Sequence, residues 1–297
     1  MASARRPEND LGNRRVGLFS VSIDCTDVDD ALARQVALLY GDYPLADTTA
    51  PPDIVVRPQW CRRRLPFGSR LVDHRVNGDF PFNPVPAGHS LPMIEIGLNW
   101  FIARYCTTHL LFHAAAVARD GKAILLPGAS GAGKSTLSAS LMAEGWQLLS
   151  DEFAILGSED RRLHPHPRPV SLKEESIDVV ARALPNACFS NRITGTAKGT
   201  IAYLKPSPDS LDKAHRSAVP VAVIFPRFSA QGAPVLKPLT KADSFMRLID
   251  HSANYFTIME AGFEALAGLV DSCPHYDFVY RSLDQAISEI TAIHAGL

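Results

Sequence analysis

Apolar and polar residues alternate over 16–25 (VGLFSVSIDC), which predicts a half-buried strand. Thr26 with Asp29 reads as an N-cap and a first-turn carboxylate. Val28, Leu32, Val36 and Leu39 then recur at helical spacing, and Gly41 stops the helix. Past a loop over 43–53, short strands are expected at 54–58 and 69–74. The stretch 78–92 (GDFPFNPVPAGHSLP) is dense in Pro and Gly and is the best boundary. Residues 93–107 are apolar on most sides, as in a buried helix. Asp120-Gly121 is a two-residue turn between apolar runs, predicting a hairpin of strands near 112–119 and 122–127. A helix should open at Lys134 and end at Gly145, a residue suited to a left-handed C-terminal cap. A strand over 146–150 follows, with Phe153–Leu156 continuing it or pairing with it. Beyond a Pro/His/Arg-rich loop at 161–172, the pattern predicts a helix at 174–183 and strands at 200–204 and 221–225. Three further helices fall at 241–250, 258–270 and 284–294.

This mixture of strands and helices is α/β in class. The organisation expected is a flexible arm over 1–15, a smaller α+β module over 16–90 that selects substrate or makes interactions, and a larger domain over 91–297. Composition adds exclusions. Of 297 residues, 46% are hydrophobic and 21% charged, which excludes wholesale disorder. A net charge of −1 argues against coating a nucleic acid. No apolar run reaches the ~20 residues that span a bilayer, so no membrane partner is expected. The five cysteines are scattered without a C-x-x-C pair, which points to reduced thiols and a cytoplasmic setting.

The chemistry concentrates at 128–136. Gly128-Ala129-Ser130-Gly131-Ala132-Gly133-Lys134-Ser135 fits G-x-x-x-x-G-K-[ST], and Thr136 follows it. A strand precedes the motif and a helix follows it, as a phosphate-binding loop requires. Glycines allow a tight turn that aims successive N–H groups at phosphate oxygens, and the helix N-terminus adds partial positive charge. Lys134 would reach the β- and γ-phosphates of ATP, and the Ser135 hydroxyl would ligate Mg²⁺.

Asp151 and Glu152 follow Lys134 by only one helix and one strand, so they read as site residues. Two carboxylate roles are needed: one to orient and deprotonate an attacking hydroxyl, one to hold Mg²⁺. The sequence reading gives the first mainly to Asp151 and the second to Glu152. If Asp120-Gly121 closes the hairpin, His113 falls opposite Gly128, beside the phosphates. There a histidine can hydrogen-bond the acid pair or tune its pKa; a satisfied core histidine is the alternative.

FHAAAV with His113, GASGAGKST over 128–136 and LLSDE with Asp151-Glu152 together resemble the HPr kinase/phosphorylase superfamily, most closely the "HprK-related kinase A" group. The likeness is strongest over 93–160; none is seen over 1–90. It implies a P-loop kinase fold of the HPr kinase and phosphoenolpyruvate carboxykinase type, with a mixed, largely antiparallel sheet. It implies ATP and Mg²⁺ as cofactors, a serine hydroxyl as acceptor, phosphate on the P-loop, the histidine beside the catalytic acid, and the first acid of the pair as general base. The family's E-x-R-G-x-G signature is missing, and Arg168-Pro-Val-Ser-Leu-Lys173-Glu-Glu stands in its place. That signature belongs to the reverse reaction, so the resemblance implies a kinase without phosphorylase activity. Members are often hexameric; nothing in this sequence itself demands a homo-oligomer.

Phosphoryl transfer gains from further cations near the γ-phosphate. Lys173 and Lys198 are the favoured candidates, ahead of Arg192 and Arg227. His164 and His166 alternate on a Pro-rich loop, a poor spacing for a metal pair. The Arg62–Arg64 run reads as a solvated strand end, with contact to an acidic peptide as the lesser reading. The function expected is transfer of the γ-phosphate of ATP to a hydroxyl of a peptide or protein carrying the acceptor serine. The alternatives are a kinase for a small hydroxyl compound such as serine, and a nucleotide-binding regulatory module with little turnover.

Overall fold

The computed structural model describes residues 11–47, 49–64 and 70–297. Residues 1–10 of the expected arm lie outside the described residues, as do the side chains of the Arg62–Arg64 run. A five-stranded sheet opens the chain, ordered β1 (Arg14–Val16), β2 (Phe19–Ile23), β3 (Ile54–Arg64), β4 (Arg70–Val76) and β5 (Val85–Pro86), with α1 (Asp30–Tyr40) between β2 and β3. Then come α2 (Ser90–Tyr105), β6 (His109–Arg119), β7 (Lys122–Pro127), α3 (Lys134–Ala143), β8 (Gln147–Ser150), β9 (Phe153–Gly157) and β10 (Leu163–His164). β11 (Val170–Lys173), α4 (Glu175–Ala183), β12 (Ile193–Thr196), β13 (Gly199–Leu204) and α5 (Pro208–Asp212) follow. The chain ends with β14 (Val219–Phe228), β15 (Val235–Pro238), α6 (Lys241–Asp250), α7 (Tyr255–Ser272), β16 (His275–Tyr280) and α8 (Leu283–Ala295).

The main sheet runs β10-β9-β6-β7-β14-β16-β15, with β8 also paired to β6. β7, β14 and β16 are parallel and the other pairings antiparallel, so the sheet is mixed. Period-two alternation gives it two apolar faces. Ala115, Val117, Ile124, Leu126, Ala222 and Ile224 pack under α3 and α8; Phe112, Ala116, Leu125 and Val223 pack under α7. A third core joins the first sheet and α1 to α2, and reaches Leu111, Ile155 and Tyr203.

The hairpin forms in the expected register. Ala114 pairs with Pro127 and Arg119 with Lys122, and Asp120 and Gly121 both take positive φ, as that two-residue turn demands. The helix after the glycine loop begins at Lys134, and Gly145 stands left-handed beyond its end.

Several expectations are corrected. The strand predicted over 16–25 is two strands, because Gly17 (φ +58) turns the chain; a Cβ there would lie 2.0 Å from the Pro165 carbonyl oxygen. The cap of α1 is Asp29, whose carboxylate accepts from Leu32 N–H, while the Thr26 hydroxyl donates to Asp24. The loop expected over 161–172 holds β10 and the start of β11, short pieces that owe their geometry to partners far along the chain. Strand β16 was missed: Asp277 breaks its apolar pattern, yet it completes the parallel centre beside β14.

Candidate phosphate-binding site

The glycine loop leaves β7 at Pro127 and enters α3 at Lys134, and its neighbours are the C-terminal ends of β14 and β16. Phe228 N–H donates to the Ala132 carbonyl, and the Tyr280 hydroxyl lies 3.4 Å from the Gly133 carbonyl. Gly131 (φ +86) and Gly133 (φ +91) adopt backbone that L-residues rarely take. Space is equally restrictive: a Cβ on Gly133 would lie 2.3 Å from Tyr280 Oη, and one on Gly128 would lie 3.3 Å from Ala132 Cβ. The loop is a cradle that side chains would fill.

Lys134 is buried at 7% exposure and folds back over this cradle. Its ammonium donates to the carbonyls of Gly128 at 2.6 Å and Ala129 at 3.0 Å. Burial lowers its pKa, and the charges of Asp151 and Glu152 oppose that shift. A lysine held on loop carbonyls exchanges those partners for phosphate oxygens at small cost.

The acids are built into a strand. β8 and β9 border the same side of β6, with Ser150 opposite Ala116 and Phe153 opposite His113. Ala114 N–H donates to the Glu152 carbonyl at 3.3 Å between them. Residues 147–157 therefore form one irregular strand with the acid pair in its middle, which settles Phe153–Leu156 as a continuation. A register shift between Ala116 and Val117 marks a bulge there, a device that re-aims side chains beside a site.

Asp151 is 4% exposed. Its Oδ1 accepts from the Ser138 hydroxyl at 3.2 Å, and its Oδ2 from Ser171 N–H at 3.3 Å. Burial, reinforced by Glu152, raises its pKa to about 6 against the pull of Ser135, Ser138 and Lys134. Glu152 is half-buried, with Oε2 3.6 Å from His113 Nδ1. Burial lowers the His113 pKa and Glu152 opposes it. His113 therefore lies beside Glu152, and its backbone N–H donates to the His251 carbonyl at 2.7 Å.

Lys173, at the end of β11, donates from Nζ to the Ser130 hydroxyl at 3.2 Å. Burial and Lys198 lower its pKa. Lys198 stands exposed in the turn between β12 and β13. His113, Lys134, Ser135, Thr136, the two acids and both lysines line one cavity of about 340 Å³, together with the loop at Ser130, Gly131 and Gly133. Gly128, Ala129 and Ala132 support the loop from outside that lining. Arg192 instead pairs with Asp178, and Arg227 is exposed beyond the cavity. Of the two histidines on the Pro-rich loop, His164 pairs with Asp160 and His166 Nδ1 meets the Val16 carbonyl.

Two contributors escaped sequence reasoning. Ser138 carried a usable signal, since it sits one helical turn after Ser135. Ser171 carried none, because its role rests on a backbone N–H. A divalent cation such as Mg²⁺ could be held by the Ser135 hydroxyl beside the carboxylate of Asp151, with Glu152 next in the chain. Hard oxygen donors of this kind suit that ion.

A family model described as "SynChlorMet cassette protein ScmC" matches residues 90–178. That stretch runs from the start of α2 into α4 and contains the hairpin, the glycine loop, the acid pair and Lys173. No curated protein matches. Among solved structures the chain is similar to the Hpr(Ser) kinase/phosphatase from Coxiella burnetii, at 15% identity and a TM-score of 0.30, over 63% of this chain and 95% of that one. Among the described residues no helix is long and apolar enough to cross a membrane.

Proposed function

We propose that this chain transfers the γ-phosphate of Mg·ATP to a serine hydroxyl of a peptide or protein. One observation carries the reading. The glycine cradle, Lys134, a second lysine, a buried acid and a histidine-backed acid all line a single cavity of about 340 Å³. A phosphate cradle alone would serve a nucleotide sensor; the paired carboxylates add what a transferase needs.

Loop N–H groups and the start of α3 would hold the phosphates, with Lys134 moving from loop carbonyls to phosphate oxygens. Lys173 and Lys198 would neutralise charge from the opposite side. Ser135 and Asp151 would hold Mg²⁺, which when bound neutralises phosphate charge. The positions favour dividing the acids the other way from the sequence assignment: Asp151 is packed against α3, while Glu152 opens to the neighbouring space and has His113 beside it. Glu152 would accept the proton of the serine hydroxyl as its oxygen bonds to the γ-phosphorus. The bond from that phosphorus to the β,γ-bridging oxygen breaks, and ADP leaves.

Incubation with γ-labelled ATP, Mg²⁺ and serine-containing peptides tests this. Label should move to the acceptor with the wild-type chain and fall at least a thousandfold with Lys134→Ala. A wild-type chain that does not bind Mg·ATP, or a Lys134→Ala variant that transfers normally, overturns the reading.

A further inference from the structure

A second cavity, of about 310 Å³, adjoins the first and shares Glu152, Ser171 and Lys198 with it. Resting on the phosphotransferase reading, we propose that this recess takes the acceptor as one uncharged serine residue of an extended, unfolded peptide segment. A serine on a folded protein surface does not fit it.

The walls carry the argument. Met93, Ile96 and Asn99 line it from α2, three residues apart in turn and so on one helical face. The end of β12 at Gly195 and Thr196, with the turn 197–198 before β13, forms the other lip, and the chain leading into it is tied to the start of α2 by His89 Nε2 at 3.0 Å from the Thr194 carbonyl. The space between helix and turn is a recess with an apolar wall. It lies at the small end of ligand pockets, which run from about 300 to 1,000 Å³. A folded partner engages through a broad face, about 800 Å² on each side, whereas a recess of this size between α2 and the turn suits a single residue of an extended segment.

Charge narrows the class further. The floor contains Arg168, buried at 4% exposure. Its guanidinium is matched within the protein: Nη1 lies 3.6 Å from Glu95 Oε2 and 3.3 Å from the Glu95 carbonyl, and Nη2 donates to Asn99. Tyr40 donates to the other Glu95 oxygen at 2.5 Å. The charges of the floor, Arg168 and Glu95, compensate each other and leave none there for a free carboxylate or ammonium; Lys198 and Glu152 stand at the end shared with the first cavity, where phosphate and the serine hydroxyl would engage them. A serine inside a chain carries neither a free carboxylate nor an ammonium. Its hydroxyl would lie at the Glu152 end, where the two cavities meet.

Three probes separate the sources of a serine hydroxyl: a short unstructured peptide with blocked ends, free L-serine, and a folded protein with an exposed serine. We expect kcat/KM for the blocked peptide to exceed that for either other probe at least tenfold. Ile96→Trp, at a 40% exposed position where folding is safe, and Met93→Trp should each raise the peptide KM at least tenfold. Both should leave the KM for ATP within twofold. Equal or better transfer to free serine or to the folded protein overturns the inference. So does peptide transfer unaffected by both tryptophans, and so does Mg·ATP binding without transfer to the peptide. Failure of the wild-type chain to bind Mg·ATP is a different result, because it overturns the phosphotransferase reading itself.

Discussion

The Lys173 ammonium stands 3.2 Å from the Ser130 hydroxyl, so a cation on β11 closes over a loop residue forty-three positions earlier in the chain. It is half-buried, and its pKa is lowered by burial and by Lys198. A cation so placed meets phosphate oxygens in the cradle. Lys173→Ala should raise the KM for ATP about tenfold or more, the scale of one charge-assisted hydrogen bond at about 1.5–3 kcal/mol. Lys173→Arg should recover part of that loss. Initial-rate kinetics at saturating acceptor give the answer, and an unchanged KM in the alanine variant removes Lys173 from the site.

The two acids should fail differently. Asp151 is packed against Ser138 and the Ser171 N–H, so Asp151→Asn should weaken nucleotide binding when Mg²⁺ is present and matter far less without it. Glu152 lies by His113 and borders both cavities, so Glu152→Gln should keep Mg·ATP binding and lose about 10²–10⁴ in transfer rate, the usual scale for a general base. Nucleotide titrations with and without Mg²⁺, set beside single-turnover transfer, distinguish them. The opposite pattern would return the base to Asp151.

The strength of local signals decided how much of this was legible in the sequence. Asp120-Gly121 fixed a hairpin and its register, and the glycine loop announced itself because Gly131 and Gly133 take positive φ, which other residues rarely adopt. Lys173 could be named only as one of two favoured cations among four, because its approach to Ser130 depends on a separate sheet, β11-β13-β12, folding over the loop. Ser171 was silent, since any non-proline residue supplies its N–H. The recess between α2 and the β12–β13 turn was hidden for the same reason: its two sides lie a hundred residues apart.

Gly133 gives a sharper test of the cradle. At φ +91 an alanine is strained, and its Cβ would meet Tyr280 Oη at 2.3 Å. Gly133→Ala should cost about 1–3 kcal/mol in local strain and abolish nucleotide binding. Adding Tyr280→Phe removes the hydroxyl but not the unfavourable φ, so binding should return only in part. Full recovery in the double variant would mean that contact, and not backbone conformation, is the constraint.

Two buried histidines away from the cavity contribute to the response to acid. His166 and His74 are each 1% exposed. Burial, helped by the Arg168 charge, lowers the His166 pKa to about 3, and burial lowers that of His74 to about 4. His166 Nδ1 lies 3.1 Å from the Val16 carbonyl, a contact that opposes the depression and holds the ring between the first sheet and the loop before β11. Both groups are depressed bases, so the unfolded chain takes up protons below about pH 6.5 that the folded chain refuses until pH 3–4. Stability is therefore full above that window and falls as pH drops through it. At pH 5 each histidine should cost about 2 kcal/mol relative to pH 8. Thermal melts should move to lower temperature between pH 7 and pH 5. In His166→Phe the midpoint at pH 7 should be lower, because the Val16 carbonyl loses its partner, but the drop towards pH 5 should be smaller than in the wild type. An equal drop in the variant and the wild type would mean that the proton uptake lies elsewhere.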